Sequence, residues 1–371
     1  MVEEKTAERK TDHIRICLTE NVQARTTTTG LEDVHLIHDA APEARLEDVD
    51  TAVQFFGHKL SSPILISAMT GGTREAAKIN ASLAEAAEKT GVAMGVGSQR
   101  VALEDPSKAY SFQIARQKAP HAFLIANLGC AQLAKDYGVN EALKAVDMIE
   151  ADALALHLNP LHEAVQPEGQ TDFRRVLKKI KELSQSIDIP IIAKETGAGI
   201  SAETALKLKE SGVRGIEIGG AGGTSWAAVE YHRARKMKNI RHQRLGQAFW
   251  DWGIPTVVSL VEVRKATDLT VIATGGVRTG MDIAKTLALG AQCSGIARPF
   301  LKLAVKGSER VVQELNLLTA ELKIAIFLVG GKSVMDLAMK PLVVTGKTAE
   351  WLRVRGFNPE AYAKRGEAVR S

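Results

Sequence analysis

VIATGGVRTGMDIAKTLALGAQCSGIARPFL, residues 271–301, reads as a short apolar strand, a Gly-Gly turn, an amphipathic helix and a second strand ending in Ala-Arg-Pro. Gly275 and Gly276 let backbone amides approach a bound group, because no Cβ stands in the way. The helix starting near Met281 aims its positive end at the same place. Two successive strand ends closing on a phosphate is how the last units of a (β/α)8 barrel hold a phosphorylated cofactor.

The same unit recurs upstream. From Ser62 onward, short β-branched runs end in glycine or polar turns and are followed by helical patterns. The strand ends are PILISAMTGG (63–72), VAMGVGSQR (92–100), FLIANLG (123–129), ALALHLNP (153–160), IPIIAKETG (189–197), GIEIGGAGGTSW (215–226), VIATGGVR (271–278) and SGIARP (294–299). Eight strands alternating with helices, joined by right-handed crossovers, close as an α/β (β/α)8 TIM barrel. A doubly wound open sheet is the competing architecture, and polar residues at every strand end argue against it. Helices are expected over 76–90 and 201–212, the second capped by Ser201, and more than one helix in the long connection 227–269. After Lys302 come C-terminal helices over 309–330 and 349–356, with a frayed tail AKRGEAVRS. Residues 1–58 are polar and irregular in pattern, an N-terminal extension expected to cover the barrel mouth, and 59–371 form the barrel with its C-terminal helices.

Composition narrows the function. The chain has 371 residues and a net charge of +5, and its basic excess is spread along the sequence rather than gathered into runs with aromatics. That suits a phosphorylated small molecule and argues against nucleic acid. Cys17, Cys130 and Cys293 are far apart, so neither a disulfide framework nor a zinc site is indicated. The first residues lack the apolar core of a signal peptide, and no apolar run is long enough to span a membrane, so a cytoplasmic protein is expected.

In a barrel the C-terminal strand ends share one mouth. They bring together Met69, Thr70, Gly71, Ser98, Gln99, Arg100, Asn127, His157, Asn159, Lys194, Glu195, Gly222, Gly223, Thr224, Ser225, Gly276, Arg278, Ala297 and Arg298. Lys194, ending the apolar strand IIAK, requires a compensating charge or a desolvated, shifted amine. It suits a Schiff base or the anionic edge of a flavin; the glycine turns of the last three strands, with room for a ribityl phosphate, favour the flavin. His157, His162 and Glu163 lie in HLNPLHEAVQPEG, where Pro160 interrupts a zinc-binding helix and no third ligand is evident. Glu163 suits Mg2+ completed by water and a diphosphate. Arg9, Lys10 and His13 form a basic cluster able to clamp an anionic substrate if the arm lies over the mouth.

RKTDHIRICLTENV, SAMTGG, MGVGSQR, ANLG, HLNP, EAVQPEG, KETGAGIS, GAGGTSW, DWGIPT, TGGVRTGMDIAKTLALGA and GIARPFL, in register from about residue 9 to 330, resemble the archaeal form of the type 2 isopentenyl-diphosphate isomerases. The resemblance implies an FMN-dependent barrel that interconverts isopentenyl and dimethylallyl diphosphate, needing Mg2+ and flavin reduced by NADPH or NADH. It implies FMN contacts from Ala68, Met69, Thr70, Ser98, Asn127, Lys194, Thr224, Gly276, Arg278, Ala297 and Arg298. Substrate contacts fall to Arg9, Lys10, His13, Ser98, Arg100, His157, Asn159 and His162, the metal to Glu163, and candidate catalytic roles to Lys194, His157 and His162. A homo-oligomer, tetramer or octamer, is implied as well.

The chain departs from that pattern at three positions. His162 stands where the family has Gln, and Glu217 and Gly219 stand where it has Asp and Ser. Two alternatives share the barrel: an FMN-dependent oxidoreductase, and a flavin-binding homologue without catalysis. The strand-eight pattern of hydroxy-acid oxidases is missing, which counts against the first; the intact RK, KET and GGVR motifs count against the second.

Overall fold

The computed structural model describes residues 2–366, with side chains from Arg9 onward. The last part of the expected frayed tail, residues 367–371, lies outside them.

Eight parallel strands close into a barrel: β1 Ile64–Ile66, β2 Ala93–Gly95, β3 Leu124–Gly129, β4 Ala153–Leu158, β5 Ile191–Glu195, β6 Gly215–Glu217, β7 Thr270–Thr274 and β8 Cys293–Ile296. Each coincides with one of the eight apolar runs, because a strand buried on both faces selects near-continuous apolar sequence. β8 pairs with β1 in register Ser294–Ile64, Gly295–Leu65 and Ile296–Ile66, which closes the ring. The long sixth connection holds three helices, Trp226–Lys236, Ile240–Ala248 and Thr256–Ala266. Ser201 caps its helix by accepting from the Thr204 amide, and Thr279 and Asp282 form a capping box on the helix Gly280–Ala288.

The N-terminal extension corrects an expectation. It opens with an 18-residue helix, Val2–Thr19, where an irregular arm was expected. Ile14 and Cys17 are buried on this helix, and its C-terminal carbonyls are held by Arg298, whose Nε donates to Cys17 O (2.9 Å) and Nη2 to Glu20 O (3.0 Å). A guanidinium at a helix C-terminus satisfies orphan carbonyls and opposes the negative end of the dipole. Further along, Val34–Leu36 pairs antiparallel with Leu342–Val344. A hairpin, Val53–Phe55 with His58–Leu60, turns through Phe56 and Gly57, both at positive φ. It brings Phe55 against Phe123, just before β3, with ring centroids 5.1 Å apart. Phe55 and Leu60 join Leu65, Ala93, Ile125, Ile192 and Ile272 in an apolar plug at the strands' N-terminal ends. With that end filled, the C-terminal mouth is left for chemistry.

The C-terminal helices lie at Ser308–Leu328 and Gly346–Val354 as expected, and a further short one follows at Glu360–Ala363, anchored by buried Tyr362.

Candidate active site

One cavity of about 1680 Å3, counting its open mouth, sits over the C-terminal strand ends. All the singled-out cofactor, substrate, metal and catalytic candidates line it: Ala68, Met69, Thr70, Ser98, Asn127, Lys194, Thr224, Gly276, Arg278, Ala297 and Arg298, with Arg9, Lys10, His13, Arg100, His157, Asn159, His162 and Glu163. Among the other strand-end residues, Gln99 is fully buried behind the wall, where its Oε1 accepts from the Asn127 amide and its Nε2 donates to Ala145 O. Ser225 caps the helix Trp226–Lys236.

Barrel register builds the middle of the site. His157 pairs with Lys194 across β4 and β5, and Lys194 pairs with Glu217 across β5 and β6. The Lys194 ammonium donates to Glu217 Oε1 at 2.7 Å, and both side chains are buried. The compensating charge demanded by a lysine at the end of IIAK is therefore supplied by this chain's own Glu217. His157 Nδ1 lies 2.7 Å from Asn127 Oδ1, so that ring nitrogen donates and the Asn127 amide is turned to donate to Val96 O. Burial, then the neighbouring Lys194 charge, lowers the His157 pKa to about 3 and keeps the ring neutral.

At one end of the cavity, the turns after β6 and β7 pack backbone against backbone. Gly275 and Gly276 have φ of 106° and 79°, and a Cβ on Gly275 would collide with the Gly220 carbonyl. Arg278 and Arg298 face the same end. Burial, then the Arg298 charge, holds the Arg278 guanidinium below its usual pKa. Two half-buried cations close enough to feel each other's charge favour an anion between them. Ser67 Oγ, on the same wall, is buried without a hydrogen-bond partner. A glycine-lined turn, paired guanidiniums and an unsatisfied hydroxyl fit the phosphorylated end of FMN.

The other end combines cations with one carboxylate. Lys10 Nζ donates to Ser98 O (2.8 Å), which ties the N-terminal helix to the strand-two turn. Burial, then the adjacent Arg9 charge, lowers the Lys10 pKa to about 7. Glu163, on the short helix Pro160–Val165, accepts from Asn159 Nδ2 (3.0 Å), Gln166 Nε2 (2.7 Å) and the Gln170 amide (2.7 Å). The side-chain oxygens of Asn159 (Oδ1) and Gln166 (Oε1) are buried with no partner. Hard oxygen donors around a carboxylate fit a divalent cation of the magnesium type.

Comparison with known proteins agrees with this geometry. The family described as FMN-dependent dehydrogenase matches residues 2–125 and 159–344. The chain is 48% identical to an isopentenyl-diphosphate delta-isomerase of Methanosarcina barkeri, covering 98% of this chain and 99% of the relative. It is 49% identical to the isopentenyl-diphosphate delta-isomerase of Thermococcus kodakarensis, over 98% of each. The chain belongs to the isopentenyl-diphosphate delta-isomerase family. Among solved structures it superposes on a lactate oxidase from Pediococcus acidilactici with a TM-score of 0.68 at 17% identity, covering 93% of this chain and 94% of that one. A flavocytochrome b2 mutant with pyruvate bound gives 0.66 at 20% identity, covering 90% and 82%. At such identities the likeness is one of fold.

Beside Ser67 and Gln166, two residues of the site on one helix escaped sequence reasoning. Glu230, fully buried on the helix Trp226–Lys236, accepts from His13 Nε2 (2.7 Å) and His162 Nε2 (3.0 Å) at the same oxygen. Trp226 stacks on His162 with ring centroids 4.7 Å apart and presents its edge to His13. The available signal was the i,i+4 spacing of Trp226 and Glu230, which puts both on one helix face.

Proposed function

We propose that this protein interconverts isopentenyl diphosphate and dimethylallyl diphosphate, a 1,3 shift of a proton across an alkene, with FMN and Mg2+ bound and NADPH or NADH as the flavin's reductant. The observation that carries the reading is one cavity with an anion-accepting glycine and arginine end, a cation-lined end beside Glu163, and a buried Lys194–Glu217 pair between them. Family membership, at 48–49% identity over almost the whole chain, selects the reaction.

Arg278, Gly276 and Ala297 would hold the FMN phosphate, with Met69, Thr70, Asn127 and Lys194 along the ring system. When bound, reduced FMN supplies an electron-rich ring with an exchangeable proton. Arg9, Lys10 and Arg100 bind and orient the diphosphate, and Asn159 with Glu163 and Gln166 would share Mg2+ with it. Neutral His157 presents an uncharged imidazole to the cavity, which avoids a second cation beside Lys194. Burial of the reacting alkene strengthens every charge around it, and the helix Val2–Thr19 excludes water from above. Lys194, paired with Glu217, holds a fixed positive charge where negative charge on the flavin is stabilised. The reading extends the expected division into an arm and a barrel: 1–58 act as a cover that carries Arg9, Lys10 and His13 into the site.

The test is product formation. Purified protein with FMN, NADPH, Mg2+ and isopentenyl diphosphate yields dimethylallyl diphosphate, and omission of the reductant under anaerobic conditions abolishes it. A yellow protein that turns over neither isoprenoid diphosphate under reducing conditions refutes the proposal.

A further inference from the structure

At the cavity mouth one cluster draws its members from three separated elements: His13 from the N-terminal helix, His162 from the helix Pro160–Val165, and Glu230 from the helix Trp226–Lys236. Their ligand-type atoms lie within 4.8 Å of one another. Both Nε2 atoms converge on Glu230 Oε1, at 2.7 and 3.0 Å. We propose that His13, His162 and Glu230 bind a borderline divalent cation of the zinc class, at a site separate from the oxygen-only pocket at Glu163.

The donor set decides the class of ion. Two imidazole nitrogens and one carboxylate oxygen suit Zn2+, Co2+ or Ni2+, whereas Mg2+ and Ca2+ select oxygen. Zinc bonds of about 2.0–2.1 Å place tetrahedral ligand atoms roughly 3.3 Å apart, so the two nitrogen–oxygen distances of 2.7 and 3.0 Å open on binding. A ligating Nε2 carries no proton, so in the bound site each ring bears its proton on Nδ1. Burial lowers the His13 pKa, which keeps that ring in its neutral, ligating form.

The surroundings supply an outer shell. Arg233 Nη1 holds the second Glu230 oxygen at 3.1 Å, and Arg233 also pairs with Glu168. Trp226 packs on both imidazoles and fixes their planes. Such partners orient ligands and tune affinity in metal sites. The charged groups nearby are Glu230, Glu163 and Glu168 against Arg9, Arg100 and Arg233, so the two signs balance around the histidines. Three protein ligands leave a coordination position facing the cavity, which His13 and His162 line.

The test uses FMN-loaded full-length protein, stripped with a chelator, incubated with Zn2+ in excess Mg2+, gel-filtered and assayed for zinc. One zinc per chain is expected. His162→Gln and His13→Gln should each weaken affinity by at least about 100-fold in chelator competition, more than the loss of an outer-shell partner. Glu163→Gln should leave zinc binding unchanged, which separates the two sites. Retained FMN and an unaltered circular dichroism spectrum establish that the variants are folded. Co2+ added to the wild type should give tetrahedral visible bands without recourse to any variant. Zinc that washes off the wild type, binds His162→Gln equally well or is lost in Glu163→Gln overturns the proposal, as does the absence of the cobalt bands. None of these readouts requires isomerase activity, so the site stands or falls apart from the reaction proposed above.

Discussion

Replacing Glu217 tests the idea that Lys194 carries its charge at the barrel mouth only because a carboxylate on the next strand balances it. The pair is 2.7 Å apart, with side chains 11% and 3% exposed. Removing one member of a buried ion pair costs about 3–5 kcal/mol, because the other charge is left uncompensated. Glu217→Gln keeps an oxygen that can accept from the ammonium, so its cost falls near 3 kcal/mol, while Glu217→Leu keeps nothing and falls near 5 kcal/mol. Unfolding entropy of about 2.1 cal/mol/K per residue gives ~0.8 kcal/mol/K for a chain of 371 residues. Scanning calorimetry of the flavin-free protein at a fixed scan rate should therefore show Tm lowered by about 4 °C in Glu217→Gln and about 6 °C in Glu217→Leu. The double variant Lys194→Met/Glu217→Leu removes both charges and should recover most of that loss. A shift below about 1 °C in Glu217→Leu, or a double variant no better than the single, would refute the reasoning.

Two further outcomes follow from the ends of the cavity. Lys10, with its pKa lowered to about 7 from 10.5 in the unfolded chain, binds fewer protons folded than unfolded between those values. Stability of the empty protein should thus rise with pH from about 7 to 10.5. A bound diphosphate draws the proton back, so calorimetric titration at pH 8 in buffers of different ionisation enthalpy should show proton uptake that disappears in Lys10→Met. Arg278→Met removes one charge-assisted hydrogen bond, worth about 1.5–3 kcal/mol, and should raise the FMN Kd ~10- to 150-fold in flavin fluorescence titration. An unchanged Kd would remove the phosphate from that end.

The barrel was legible because its strands are buried on both faces and so are written as apolar runs, each closed by the polar residues that reach the mouth. Lys194 announced a partner for the same reason, and register across β5 and β6 gave the expected charge to Glu217. The N-terminal helix was not legible. From Arg9 onward, VEEKTAERKTDHIRICLT buries Ile14, Ile16 and Cys17, in its last two turns. Further anchorage comes from distant groups: Ser98, Glu230, Lys236 and Arg298 meet Lys10, His13, Asp12 and the terminal carbonyls. No local periodicity records such contacts. Glu230 was hidden in the same way, since in WAAVEYHRARK it resembles a solvated helix position, yet it is fully buried under two histidines. Pro160 and the missing third ligand argue against zinc between His157 and His162, and His157 turns to Asn127. The cluster that His162 does join is assembled from residues 149 positions earlier and 68 later, measured as differences of residue number.

The central claim is an isomerisation that uses reduced flavin without consuming reducing equivalents. The direct measurement is the ratio of dimethylallyl diphosphate formed to NADPH oxidised, taken anaerobically with limiting NADPH and excess isopentenyl diphosphate. Many product molecules per NADPH is the expected result, with NADPH oxidation ending once the flavin is reduced. One NADPH oxidised for each substrate molecule converted would contradict it and make the protein an oxidoreductase on the same barrel.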